Sequence, residues 1–186
     1  MEKDKARWAG RANEWRNYQL KIALASTDDA AVVKFARKLI LQDSHHDKME
    51  YYQLLKARIS KKEWESYLDE LISGTPKSYA HVHQVAKFYV AEKWYDKLFQ
   101  LVKQAYSIDV IKEYESYLAK DYTPELVALC ESHIRRLLSE NVGRNHYKNA
   151  VRKIRWIKKL GDVERVENLV ALDRHDYKPK QIEPYL

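Results

Sequence analysis

Residues Ser60–Pro76 read SKKEWESYLDELISGTP, and this stretch decides the fold. Ser60 followed three residues later by Glu63 matches a capping box. In that motif the Ser hydroxyl accepts from the backbone N–H of the third helical residue and the Glu reaches back to the cap. Trp64, Tyr67, Leu68, Leu71 and Ile72 then recur at the spacing of one helix stripe. Gly74 fits the left-handed position past a helix end, and Thr75-Pro76 starts the next segment.

The same grammar extends in both directions. Toward the N-terminus, a helix is expected over about Lys5–Ala25, with Trp8, Ala12, Trp15, Leu20, Ile22 and Leu24 among its apolar positions. Thr27 or Asp28 caps a second helix that carries Val32, Val33, Phe35, Ala36, Leu39 and Ile40 and ends near Gln42. The polar cluster Asp43–Asp47 reads as a loop, and Tyr51, Tyr52, Leu54 and Leu55 mark a third helix ending near Arg58. Toward the C-terminus, helices are expected at about 78–91, 93–106, 108–120, 124–140, 144–160 and 162–174, with a short turn after Tyr177. Thr123-Pro124-Glu125 offers a cap, a first-turn proline and an early acid for the helix at 124–140, and Gly161 stops the one at 144–160.

Composition points the same way. Gly and Pro number 4 each in 186 residues, far below average usage of roughly 12%. Hairpin turns and glycine-rich phosphate loops have little material, so an all-β domain, a Rossmann enzyme or a P-loop enzyme is not expected. Connections are too short to divide domains, and one domain over residues 1–186 is expected. Many short helices with tight joints predict an all-α chain of stacked antiparallel helix pairs, a short right-handed α-α superhelix. An internal echo bears on repetition. Lys62–Leu68 (KEWESYL) returns as Lys112–Leu118 (KEYESYL), six of seven residues identical. True structural repeats and a shared helix-surface solution both account for it.

Three segments carry a family resemblance. They are Tyr51–Lys56, then Glu63-Trp64 through Leu71, and Asn145–Ala150 running on to Tyr177. The last contains Ile157–Gly161 and the Leu169, Leu172, Arg174, Tyr177 spacing. Together they resemble the C-terminal helical region of SWIM zinc-finger proteins, over most of the chain and best from about residue 51 onward. The finger of that family is a Cys-x-Cys…Cys-x-His zinc site, which this sequence does not contain, so its metal site does not carry over. The resemblance implies a tetratricopeptide-like helical appendage, excised from a longer protein.

Chemistry-bearing constellations are few. The lone cysteine, Cys130, permits no intrachain disulfide and no cysteine-rich zinc site. It fits a reducing compartment, and a cytoplasmic location is expected. It lies in the apolar run Leu126–Cys130, so burial is expected in preference to a nucleophilic pair with His133. His45, His46 and Asp47 diverge on a helix, as do His81 and His83, and read as solvent-facing. Glu63/Glu65 and Glu113/Glu115 diverge likewise and read as solvated faces. No enzyme activity and no cofactor are expected. Met1–Lys5 is followed by no apolar stretch, so no signal peptide is expected, and no apolar run approaches the roughly 20 residues of a membrane span.

The net charge is +7, and it is local. Arg135–Lys159 holds nine Lys/Arg and one acid, Glu140, a net +8, leaving −1 for the rest. On the helix at 144–160, Arg144, Lys148, Arg152, Arg155 and Lys159 fall within an arc of about 80°. Tyr147, Ala150, Ile154 and Ile157 form another side, Val151 borders the arc, and Trp156 lies near its opposite edge. Three readings stay open: an exposed helix whose cations pair with Asp162, Glu164 or Glu167; a surface for an anionic protein partner; or a nucleic-acid contact in which Trp156 stacks on a base. A non-catalytic module for protein–protein interaction or scaffolding is the favoured function. A nucleic-acid-associated helper using residues 144–160 is the alternative. Neither the partner nor the oligomeric state is legible.

Overall fold

The computed structural model describes residues 2–42, 48–75, 79–105, 107–140 and 144–159; for residues 2–10, 79–80, 138–140, 144–147 and 149 it describes the helix path alone. Eight helices and no strand occur among the described residues. They are α1 (Glu2–Ala25), α2 (Asp29–Gln42), α3 (Met49–Lys56), α4 (Lys61–Ser73), α5 (Tyr79–Glu92), α6 (Tyr95–Ala105), α7 (Ile108–Glu140) and α8 (Arg144–Lys159). Sequence neighbours pack on each other, α1 on α2, α2 on α3, α6 on α7 and α7 on α8. The chain divides into two compact units, one ending at Trp94 and the other starting at Tyr95. The helix expected at 162–174, the terminal turn and the cluster Asp43–Asp47 lie outside the described residues.

In the first unit, Leu20 and Ala23 of α1, Val32, Ala36, Leu39 and Ile40 of α2, and Tyr52 and Leu55 of α3 form a continuous core. Leu68 and Leu71 of α4 and Phe88 of α5 complete it. Its centre is aromatic. Tyr52 stacks on Phe88 with centroids 4.9 Å apart and meets the edge of Trp64 at 5.5 Å. The polar ends of these rings converge on one acid, Glu92, at the end of α5. The Tyr52 hydroxyl and the Trp64 Nε1–H (2.6 Å) both donate to Glu92 Oε1, and Lys56 Nζ pairs with the same carboxylate at 2.9 Å. A half-buried carboxylate is tolerated because three donors replace its water. Three helices, α3, α4 and α5, are fastened at that point.

The helix ends depart from expectation. Gly74 has φ −80°, a right-handed conformation, so it does not use its left-handed freedom. Among the described non-glycine residues, the left-handed ones are Thr27 (φ 55°) and Lys93 (φ 59°). Both close the same motif. Asp28 N–H bonds Ala23 C=O and Thr27 N–H bonds Leu24 C=O; Trp94 N–H bonds Tyr89 C=O and Lys93 N–H bonds Val90 C=O. This is a Schellman ending, and the Tyr89–Trp94 ring contact supplies the apolar clasp that accompanies it. Of the two candidate caps for α2, Asp28 takes the role, accepting from Ala31 N–H at 3.0 Å. The Ser60 box closes differently from the motif: Ser60 Oγ donates to Glu63 Oε2 at 2.7 Å, with no side-chain bond to the backbone.

In the second unit, Leu98 and Val102 of α6, Ile108, Ile111, Tyr114, Leu118, Leu126, Val127, Cys130 and Ile134 of α7, and Ala150 and Ile157 of α8 are buried. The two helices expected at 108–120 and 124–140 form one run broken at Tyr122 (φ −129°, ψ 17°), just before Pro124. The expected forward cap at Thr123 is replaced by a backward bond, its hydroxyl donating to Ala119 C=O. The Tyr122 ring stacks on Phe99 at 4.4 Å and its hydroxyl donates to Asp96, so α6 holds the break. The echo segments match in burial: Trp64 and Leu68 are buried on α4, as are Tyr114 and Leu118 on α7.

Two predictions follow from these contacts. Burial pushes the Glu92 carboxyl up, but the hydrogen bonds from Tyr52, Lys56 and Trp64 outweigh it and hold the group below its ordinary 4.5. A depressed carboxylate contributes stability that is present above the unfolded value and lost as pH falls through the folded one. Glu92→Gln should therefore cost about 1–3 kcal/mol at pH 7 and flatten the acid limb below roughly pH 5, read from urea unfolding across pH. Thr27→Gly should stabilise by about 0.5–1 kcal/mol in the same assay, because relief of a left-handed β-branched residue exceeds the added freedom of the unfolded chain.

Candidate cationic groove on α8

The basic stretch forms the helix α8, and its exposed side meets α7 in a groove. Lys148, Val151, Arg152, Arg155, Trp156 and Lys159 of α8 and Lys112 of α7 line an open volume of about 730 Å³. The periodicity explains the arrangement. Ala150 and Ile157 are buried toward α7, which turns the cationic arc outward. Lys148, Arg152, Arg155 and Lys159, expected together from their spacing, are together in the groove, all exposed. The Arg144 backbone begins α8, and its side chain lies outside the described residues. The acids expected to neutralise this face, Asp162, Glu164 and Glu167, also lie outside them.

Trp156 is the hinge of the site. It is half-buried, its Nε1–H donates to Glu115 Oε2 at 3.0 Å, and Lys112 Nζ lies 5.6 Å from its ring centroid. Its edge is thus spent on α7 and a lysine covers its ring. Val151, 44% exposed, adds an apolar spot beside the cations. The arrangement can hold several anionic groups spaced along one helix, with a small apolar contact between them. Lys112 was beyond the reach of sequence reasoning. It lies far upstream in the chain, and the only signal was its place in the echo segment.

The other candidates are dispersed. Cys130 is fully buried in α7, and its thiol is pushed up to about 12, first by burial and then by the Glu115 carboxylate. A thiol so held is a poor nucleophile. On α5, His81 and His83 are both half-buried, and His81 Nδ1 lies 2.8 Å from Thr75 Oγ1. His45, His46 and Asp47 lie outside the described residues. Among the described residues, no three His, Cys, Asp or Glu side chains come together to hold a metal. No helix among the described residues is long and apolar enough to cross a membrane.

No protein-family model, curated protein or solved structure matches the chain. The resemblance to the SWIM helical region therefore rests on the residues quoted for it.

Cys130 provides the check on this part of the fold. In native protein it should react with a maleimide on the order of 100-fold more slowly than in urea, since the thiol must first be uncovered. Labelling at comparable rates in both states would contradict its burial between α7 and its neighbours.

Proposed function

We propose that this chain is a non-catalytic helical-repeat module, tetratricopeptide-like in kind, that binds an acidic protein segment along α8. The observation that carries the reading is the convergence of Lys112, Lys148, Arg152, Arg155 and Lys159 on one groove beside Val151. Cations from two helices match a partner whose carboxylates follow an extended or helical path. The engagement of Trp156 with Glu115 and Lys112 weighs against base stacking, and so favours an acidic protein over single-stranded nucleic acid. A location in a reducing compartment and a role as an appendage of a larger protein belong to the same proposal.

The test is fluorescence anisotropy with a labelled polyglutamate peptide and, in parallel, a labelled single-stranded oligonucleotide, each across a salt series. The peptide should bind at low salt, and Arg152→Glu with Arg155→Glu should weaken it at least about tenfold. Tighter binding of the oligonucleotide, with a steep salt slope, would move the function to the nucleic-acid reading. No binding of either probe at low salt would overturn both.

A further inference from the structure

Helix α1 exposes a stripe of large apolar residues. Its inner face is fastened by polar groups: Asn13 Nδ2 donates to Gln42 C=O at 3.4 Å, Arg16 Nη1 to Asn13 Oδ1 at 2.6 Å, and Tyr51 Oη to Asn17 Oδ1 at 2.8 Å. Leu20 and Ala23 complete that face. The outer face carries three large apolar residues. Trp15 is 66% exposed, Tyr18 60% and Ile22 68%. At three- and four-residue spacing they fall within an arc of about 60°, directed away from the core. Such a stripe has the spacing of a two-helix seam, with Trp15 and Ile22 at one core position and Tyr18 at the other.

We propose that this face of α1 pairs with the same face of a second copy of the chain, the two helices running antiparallel about a two-fold axis. The flanking charges choose the partner and its direction. Glu14 and Lys21, both exposed, are seven residues apart and so occupy the same flanking position of successive heptads. In an antiparallel pair that position faces its own equivalent. With Trp15 set against Tyr18 of the other copy, Glu14 meets Lys21 of the other copy, and the two-fold axis makes the ion pair twice. In a parallel pair the same residues would face Gln19 and Ser26, and no charge would be matched. Arg11, at the end of the stripe, lays its stem over Ile22 of the other copy and keeps its guanidinium in water. The contact buries on the order of 1,200 Å², the lower edge of a specific interface, so the dimer is a weak and reversible one.

Sedimentation equilibrium of the whole chain over a concentration series tests this. A monomer–dimer equilibrium in the range of ~10 µM is expected. Tyr18→Glu should weaken it at least about 30-fold; its side chain is exposed, so an unchanged circular dichroism spectrum checks the fold. Glu14→Lys alone and Lys21→Glu alone should each weaken association, and the two together should restore it, since the swap rebuilds both pairs in reverse. A monomer at every concentration overturns the proposal and assigns the stripe to a different occupant. A dimer indifferent to Tyr18→Glu, or weakened singly and not rescued by the swap, overturns it as well. None of these residues belongs to the α8 groove, so the peptide-binding result and this one fail separately.

Discussion

The carboxylate of Glu92 is the constraint on which the first unit depends. Helices α3, α4 and α5 meet through aromatic rings, and large rings with polar ends pack in a core only if those ends find partners. Glu92 supplies the acceptor for both, and Lys56 balances its charge. The second unit uses the same chemistry in another setting. Glu115, on the echo segment, accepts the indole N–H of Trp156 and thereby ties α8 to α7. In each unit one acid seats one tryptophan, and the surrounding aliphatic contacts follow from where that ring is held.

This arrangement leaves two kinds of surface. On α8, Ala150 and Ile157 are spent on α7, so what faces out is mostly cationic. On α1, Asn13 and Asn17 are spent on α2 and α3, and Trp15, Tyr18 and Ile22 face out. Both result from a helix presenting to its neighbour only part of what its sequence carries.

Much of the architecture was legible. Periodicity located the helices from Trp64, Tyr67, Leu68 and Leu71 outward, and the basic arc of α8 was legible from spacing alone because a single helix determines it. Contacts that depend on two or more helices were not. Glu92 reads as an ordinary polar helix end until Tyr52 and Trp64 are brought to it, and Lys112 reads as surface until α8 is laid across it. Local chemistry misled at the ends. Gly74 and Ser60 have the composition of a left-handed stop and a box. The left-handed residues are instead Thr27 and Lys93, where the tertiary position of the next helix overrides intrinsic preference. Trp15 and Ile22 read as apolar positions of the first helix just as Leu20 does, since apolar identity does not say which face of α1 the core will claim.

The break in α7 has a consequence for descent. At Tyr122 the backbone leaves the helical dihedrals, and Pro124 contributes no N–H donor just beyond it. The two halves, Ile108 to Asp121 and Pro124 to Glu140, therefore need not keep a common phase. Insertion or loss of a residue there would rotate neither half off the surface it covers, so long as an aromatic remained to rest on Phe99. Among diverged relatives, length changes should concentrate at this point rather than within either half.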